Sequence, residues 1–472
     1  MRWRGSATAD PPASPWTGGR WTWLRTPDRR LLVLSILLQL ALAVALGHSR
    51  DTRMFMSAGY LVGTGHTPYV SQDLTTVFHH VTFKMLSTIG YPPPWPLLLG
   101  GIYRATYALV PDFYLYNLAI KLPVIAANAG LAYLAGATLQ NLGAAPAVIR
   151  RAWLALLFNP FVLYVGAAWG QIDAIVAVLA LAALLLVAAG RRDLSAVLLA
   201  LAVCVKPTAA PMLVAVLLVI GAGSLPRALR YAGIFAAGVF AFYVLPFFVF
   251  GWDASPLLQA NAQLSMAGSM SPATIVRLVR GPLVIEGRWW LLGLLWIPAL
   301  AVIVALARKG RRDFIGLLTL SLVFTLVFFL TRAWLAEPNV VLLLAPMLVL
   351  AALGRVGRRL FTALWAIPLV FTVINASPLQ LLWVAAPGAM ARSLAWWTSY
   401  GDLTLAARAA LVVAWQVAGW WTVAVCLRRQ RLSAEESGVA GADEAAGANG
   451  PADARDPADA SGLGGRRREA LP

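Results

Sequence analysis

The sequence predicts an all-α, polytopic membrane protein, and three observations carry that prediction. First, 60% of its 472 residues are hydrophobic and only 12% are charged, with a mean hydropathy of +0.73. That leaves too little polar surface to coat a water-soluble globule. Second, continuous apolar runs recur along the chain without the period-2 alternation of barrel strands, so the spans should be helices. Third, the arginines fall in short clusters between those runs. Despite a formal net charge of +18, this is positive-inside topology and not a nucleic-acid-binding face, so no nucleic acid partner is expected. Cys204 and Cys426 both lie within apolar runs, which indicates neither a disulfide framework nor a metal site.

Taken in order, residues 1–30 mix Pro, Gly, Ser, Trp and Arg without periodicity and read as a cytoplasmic tail. Residues 31–47 follow Arg20, Arg25, Arg29 and Arg30 and are long enough to be a first span leaving the cytoplasm. The preceding tail is too long for an ordinary signal peptide and further spans follow, so this helix is expected to stay uncleaved. Residues 48–115 then read as a large extracytoplasmic loop holding all four histidines, His48, His66, His79 and His80. No two are spaced to share a helical face, so they suggest substrate hydrogen bonding or ordinary loop roles above metal ligation. The run Gly90-Tyr91-Pro92-Pro93-Pro94-Trp95-Pro96 should be extended and non-helical, because consecutive prolines enforce a polyproline-like path.

Residues 97–110 are apolar but short and carry Arg104, and read as an interfacial helix. If they crossed the membrane, Arg150-Arg151 and Arg191-Arg192 would both fall outside. Later spans are expected near 116–138, 152–168, 172–189, 194–206, 208–222, 231–250, 289–307, 314–331, 339–353, 360–375 and 408–427. With the first helix this makes about twelve crossings and returns both termini to the cytoplasm. The domain reading is therefore a tail at 1–30, a transmembrane domain at 31–427, and a disordered cytoplasmic tail at 428–472, whose Ala, Gly, Asp and Glu have little to bury.

This topology gathers mixed chemistry at the extracytoplasmic side. Asp51 emerges where the first helix meets the far face of the membrane, flanked by Arg50 and Arg53, and is either a solvated loop carboxylate or a functional one. Gln171 and Asp173, in Trp169-Gly170-Gln171-Ile172-Asp173, sit at the outer lip of a turn and either cap it or face a substrate. Lys206-Pro207 breaks an apolar stretch with a charge. A lysine at membrane depth costs about 2.5–3.5 kcal/mol on insertion scales, so it snorkels outward or pairs with an anion. Arg332 and Glu337 either neutralise each other or leave Arg332 as a fork-shaped phosphate donor. Tyr91 and His66 complete the candidate substrate-binding set.

Together the Asp after the first helix, the Tyr-Pro-Pro-Pro-Trp stretch, the Trp-Gly-Gln-Ile-Asp turn, the Lys-Pro break and the late Glu-Pro-Asn loop resemble the GT-C superfamily of polytopic glycosyltransferases over residues 31–427. They are most similar to bacterial mannosyltransferases related to the enzymes of glycosylphosphatidylinositol-anchor assembly. The resemblance implies transfer of a sugar, mannose by family analogy, from a polyprenyl-phosphate donor to a hydroxyl of a lipid, glycan or protein acceptor, with inversion. Asp51 matches the catalytic carboxylate, acting as general base, and Lys206 and Arg332 would meet the phosphate charge. The family's paired acidic motif is reduced here to one carboxylate, so no metal ligand is assigned and a divalent metal is optional. The alternatives are a transporter or lipid flippase, for which the sequence lacks the expected internal repeat, and a non-catalytic membrane partner of another enzyme.

Overall fold

The computed structural model describes residues 28–79, 83–84, 89–264, 269–280, 294–307, 313–375 and 377–448. Among them every regular element is helical, and the one extended pairing is a parallel bridge between Gly47 and Leu382. The first helix, α1 (Arg29–Ala45), is capped by Asp28, whose carboxylate accepts from Arg30 N at 3.1 Å and Leu31 N at 3.3 Å. Its polar residues lie inward. Ser35 Oγ donates to Leu157 O at 2.9 Å, Gln39 Nε2 donates to Ser35 Oγ at 3.2 Å, and Asn128 Nδ2 donates to Gln39 Oε1 at 2.8 Å. These bonds fix the rotation of α1 against its neighbours.

The stretch after α1 is more ordered than a loop. Asp51 starts a helix, α2 (Asp51–Gly63), followed by the single turn α3 (Thr75–Phe78) and by α4 (Pro94–Ala105). The proline run is therefore not an extended strut throughout. Pro94 and Pro96 fall in the first turn of α4, where backbone N–H groups lack helical partners, so proline costs nothing there. The packing of α4 along α2 requires glycine: a Cβ on Gly59 would lie 2.9 Å from Leu99 O, and one on Gly100 would strike Val62.

An apolar rod follows, α5 (Phe113–Ala119) and α6 (Leu122–Asn141), interrupted at Ile120 and Lys121 ahead of Pro123. Next, α7 (Pro146–Leu157) runs through the short α8 (Pro160–Val162) into a wide π-helical turn, Leu163–Ala168. The antiparallel neighbours α9 (Asp173–Ala188) and α10 (Arg192–Val205) come next, then α11 (Pro211–Gly223), α12 (Leu225–Val239) and α13 (Leu245–Phe250). The remainder comprises α14 (Ser255–Leu264), α15 (Pro272–Arg280), α16 (Trp296–Ala307), α17 (Phe314–Thr331), α18 (Val341–Ala352), α19 (Arg358–Ile374), α20 (Ser377–Leu381), α21 (Pro387–Thr398) and α22 (Gly401–Ala448). The last helix continues well past 427, where the sequence places a disordered tail. Just past 427 the helix is packed: Gln430 is buried and donates through Nε2 to Gly316 O of α17 at 3.0 Å.

Five segments among the described residues are long and apolar enough to cross a membrane: Phe113–Asn141, Pro146–Ala168, Leu225–Phe250, Phe314–Thr331 and Gly401–Leu432. Four shorter apolar helices accompany them, Asp173–Ala188, Pro207–Gly223, Trp296–Ala307 and Glu337–Ala352. This is an all-α membrane protein. Its centre is α18, buried on every side from Val341 to Ala351 against α6, α9, α17 and α19, as expected of a helix apolar all round.

The two ends of the bundle differ in chemistry. At one, Arg150 meets Asp28 at 3.6 Å, Arg230 meets Asp193 at 2.5 Å, and Arg429 donates to Gly354 O. The other gathers Asp51, Asp173, Lys206 and Glu337.

Candidate active site

Asp51 is placed by both its neighbours in sequence and a distant strap. The turn after α1 is pinned to residues 380–381, Gly47 N donating to Leu381 O at 3.0 Å and Ser49 N to Gln380 O at 3.1 Å. This aims the first turn of α2 at the Pro160–Ala168 segment. There Asp51 Oδ2 accepts from Trp169 Nε1 and from Gln171 Nε2, both at 2.6 Å. These short bonds to one oxygen fix the carboxylate plane. Oδ1 accepts from no described side chain, and the Asp51 side chain keeps 17% exposure.

His48 forms the floor of this site. Its ring stacks on Trp169 with centroids 4.5 Å apart, and Nδ1 accepts weakly from the backbone N–H groups of Arg50 and Asp51, each at 3.4 Å. Burial holds its pKa below the ordinary 6.5, against the upward pull of Asp51 and helped by Arg50 and Arg53. A neutral imidazole with Nδ1 as acceptor fits both the stack and the two N–H contacts.

Gln171 extends the network. The turn carrying it needs Gly170, which stands at φ +90°. Gln171 Oε1 accepts from Tyr91 OH at 3.1 Å, and the Tyr91 ring lies 5.7 Å from Lys206 Nζ. Burial raises the Tyr91 phenol well above its usual pKa, with Asp51 and Asp173 adding to the effect, so it stays a neutral donor.

Lys206 is not an open cation. Its Nζ lies 2.9 and 2.7 Å from the two carboxylate oxygens of Asp173, and both residues are buried. The anion that a lysine at this depth requires is therefore supplied by the protein, and Asp173 is equally committed. The pair links the start of α9 to the break after α10.

Arg332 and Glu337 do not neutralise each other: among the described residues no ion pair joins them. The Arg332 guanidinium lies over the rings of Phe328 and Trp334, at 4.9 and 5.7 Å. Glu337, buried at the foot of α18, accepts from Asn375 Nδ2 at 3.1 Å, and Asn375 Oδ1 accepts from Arg408 at 2.9 Å. Arg408 and Asp51 are the charged groups acting on Glu337, which ties this corner to the Asp51 cluster.

The structure thus brings Asp51, Gln171, Tyr91, Lys206 and Asp173 into one connected network with Glu337 beside it, and leaves His66 out. His66 follows the far end of α2, exposed and bonded to Thr64 Oγ1 at 3.0 Å, while Asp51 opens the same helix. His79 occupies a left-handed turn at φ 49°, and His80 lies outside the described residues. No three His, Cys, Asp or Glu converge among the described residues. Asp51 Oδ2, both oxygens of Asp173 and Glu337 Oε1 are held by nitrogen donors instead, so the described residues do not assemble a divalent-metal site and no step is routed through one. Sequence reasoning missed Asn375 and Arg408 as site components, and named His48 only among the loop histidines and Trp169 only within its motif. Asn375 and Arg408 carried no spacing that would single them out.

A helical membrane bundle with a carboxylate fixed by an indole and an amide at one end is compatible with group transfer. The comparison with known families is specific about which group. Glycosyltransferase family 87 matches residues 91–338, more than half of the chain, and the protein belongs to that family. It is therefore a membrane glycosyltransferase. The match takes in Tyr91, Gln171, Asp173, Lys206, Arg332 and Glu337 but not Asp51, whose place rests on geometry. No curated protein matches the chain.

Proposed function

We propose that the protein transfers a sugar, mannose on the resemblance above, from a polyprenyl-phosphate donor to an acceptor hydroxyl, with Asp51 as general base. The observation that carries this reading is the asymmetry of the Asp51 carboxylate: Oδ2 is held by Trp169 and Gln171, while Oδ1 accepts from no side chain among the described residues. The acceptor O–H gives its proton to Oδ1 as its oxygen attacks the anomeric carbon. The bond from that carbon to the phosphate oxygen breaks, and the lipid phosphate leaves with the electron pair, inverting the centre.

The departing charge needs a cation. Exposed Arg50, next to Asp51, is the cation nearest in the chain, and Arg332 is proposed beside it on the chemistry of its guanidinium fork alone. Lys206 contributes by holding Asp173 and steadying the Tyr91 ring. The site is assigned to the extracytoplasmic face, with about twelve crossings and cytoplasmic termini, because Arg150, Arg230 and Arg429 cluster at the opposite end.

The test is to incubate the purified protein with radiolabelled polyprenyl-phosphate sugar and candidate lipid, glycan and protein acceptors. The reading expects label to appear in an acceptor with inverted anomeric configuration. Label that crosses reconstituted vesicles without entering any product would instead support the flippase alternative, which no observation here favours.

A further inference from the structure

We propose that Lys121, assisted by Asn117 one helical turn before it, is a buried positioning residue that sets Asp51 against its donors Trp169 and Gln171. The proposal rests on the general-base reading of Asp51. The first segment it concerns is the end of α1. Leu46 N–H returns to Leu42 O at 3.0 Å, and the carbonyls of Ala43, Val44 and Leu46 extend past the helix. Asn117 Nδ2 donates to all three, at 2.7, 3.3 and 3.2 Å. Lys121 Nζ donates to Ala43 O at 3.1 Å and to Leu46 O.

The second segment is the π-helical turn. Lys121 Nζ also reaches Ala168 O at 3.3 Å, the carbonyl just before Trp169. One ammonium thus joins the carbonyl ends of the two segments that lead into Asp51 and into Trp169 and Gln171. These are the negative ends of helical dipoles, the natural partners of a cation. Lys121 is 1% exposed and has no carboxylate partner among the described residues, so these carbonyls are its compensation within the membrane.

Contact with the site turns is direct. A Cβ on Gly170 would lie 3.2 Å from Lys121 Cε, and one on Gly47 would lie 3.1 Å from Asn117 Oδ1. Both glycines flank the catalytic cluster and both rest on this pair. A lysine needed only to seal one helix end would touch one segment; this one spans the two whose separation sets the Asp51 bonds.

The test uses the full chain in detergent, comparing Lys121→Met, Asp51→Asn and the double variant by turnover, donor binding and amide hydrogen exchange. For Lys121→Met we expect turnover to fall by about 10²-fold, the scale of a misplacement of about 1 Å, with donor affinity held within about threefold. Amides of Gly47, Ser49, Gly170 and Gln171, all hydrogen-bonded in the structure, should exchange faster while those of α17 do not. In the Asp51→Asn background the same substitution should add less than about a threefold loss, because its effect passes through Asp51.

Losses that multiply, or unchanged exchange at those four amides, would overturn the proposal. If Lys121→Met does not fold, Asn117→Ala decides. It keeps the ammonium and should speed exchange at Gly47 and Ser49 but not at Gly170 and Gln171; unchanged exchange at the first two would refute the clamp. Wild-type turnover in Asp51→Asn alone would refute the general base, while the exchange data would still judge the clamp separately.

Discussion

At the scale of single residues, the buried Asp173–Lys206 pair makes the sharpest stability prediction. Removing one partner leaves the other charge desolvated and unpaired, at a cost of about 3–5 kcal/mol. Lys206→Met and Asp173→Asn should each lower the melting temperature in detergent clearly. The double variant should lose clearly less than the two single losses added together, because neither charge is then stranded. Additive losses would show that the pair does not act as a unit.

His48 gives a pH prediction. Its folded pKa lies below the unfolded value of 6.5, so the folded state binds fewer protons. Its contribution is full above pH 6.5 and is lost as pH falls below it. His48→Gln should therefore narrow the drop in melting temperature between pH 7.5 and pH 5. An unchanged drop would mean that His48 titrates alike in both states. The sequence marked Lys206 as needing an anion and Asp173 as a lip residue. Which carboxylate meets which cation is a matter of helix rotation, and pattern alone does not carry it.

At the scale of elements, the seam between α2 and α4 is tight enough to be tested by one methyl group. Gly59→Ala places a Cβ 2.9 Å from Leu99 O and should destabilise by about 1–3 kcal/mol through overpacking. Gly101→Ala, on the open face of α4 with nothing within 4 Å of its Cβ, should be neutral or mildly stabilising. Equal melting temperatures for the two variants would mean that the helices do not pack as described.

Of these two helices α2 was the less legible beforehand, whereas α4 covers residues 97–105 of the helix expected at 97–110. Asp51–Gly63 mixes Arg, Met, Ser and Gly without a long apolar run, and its helicity comes from packing against α4. Pro94 and Pro96 signal a break but stand where a helix can begin. The long apolar helices gave clearer signals. The span expected at 314–331 is α17 itself, and that at 208–222 lies within Pro207–Gly223, because continuous hydrophobicity is a property of the segment alone.

At the scale of the molecule, the account predicts sidedness. With the native cysteines buried, Gln72→Cys should react with an impermeant thiol reagent in intact cells, and Ala145→Cys only after permeabilisation; both positions are exposed. The opposite pattern would invert the topology. Residues far apart in the chain, such as His48 beside Trp169 and Glu337 beside Asn375, meet only because the bundle brings one end of many helices together, which is why the sequence did not give the contacts.

The most direct test of the central claim is the Asp51→Asn variant, in which shape is kept and the proton acceptor removed. Turnover of a polyprenyl-phosphate sugar should be measured beside donor binding on the same purified, folded protein. The account predicts a loss of about 10²–10⁴-fold in turnover with donor affinity essentially unchanged. Turnover near that of the wild type would contradict it and remove Asp51 from the chemistry.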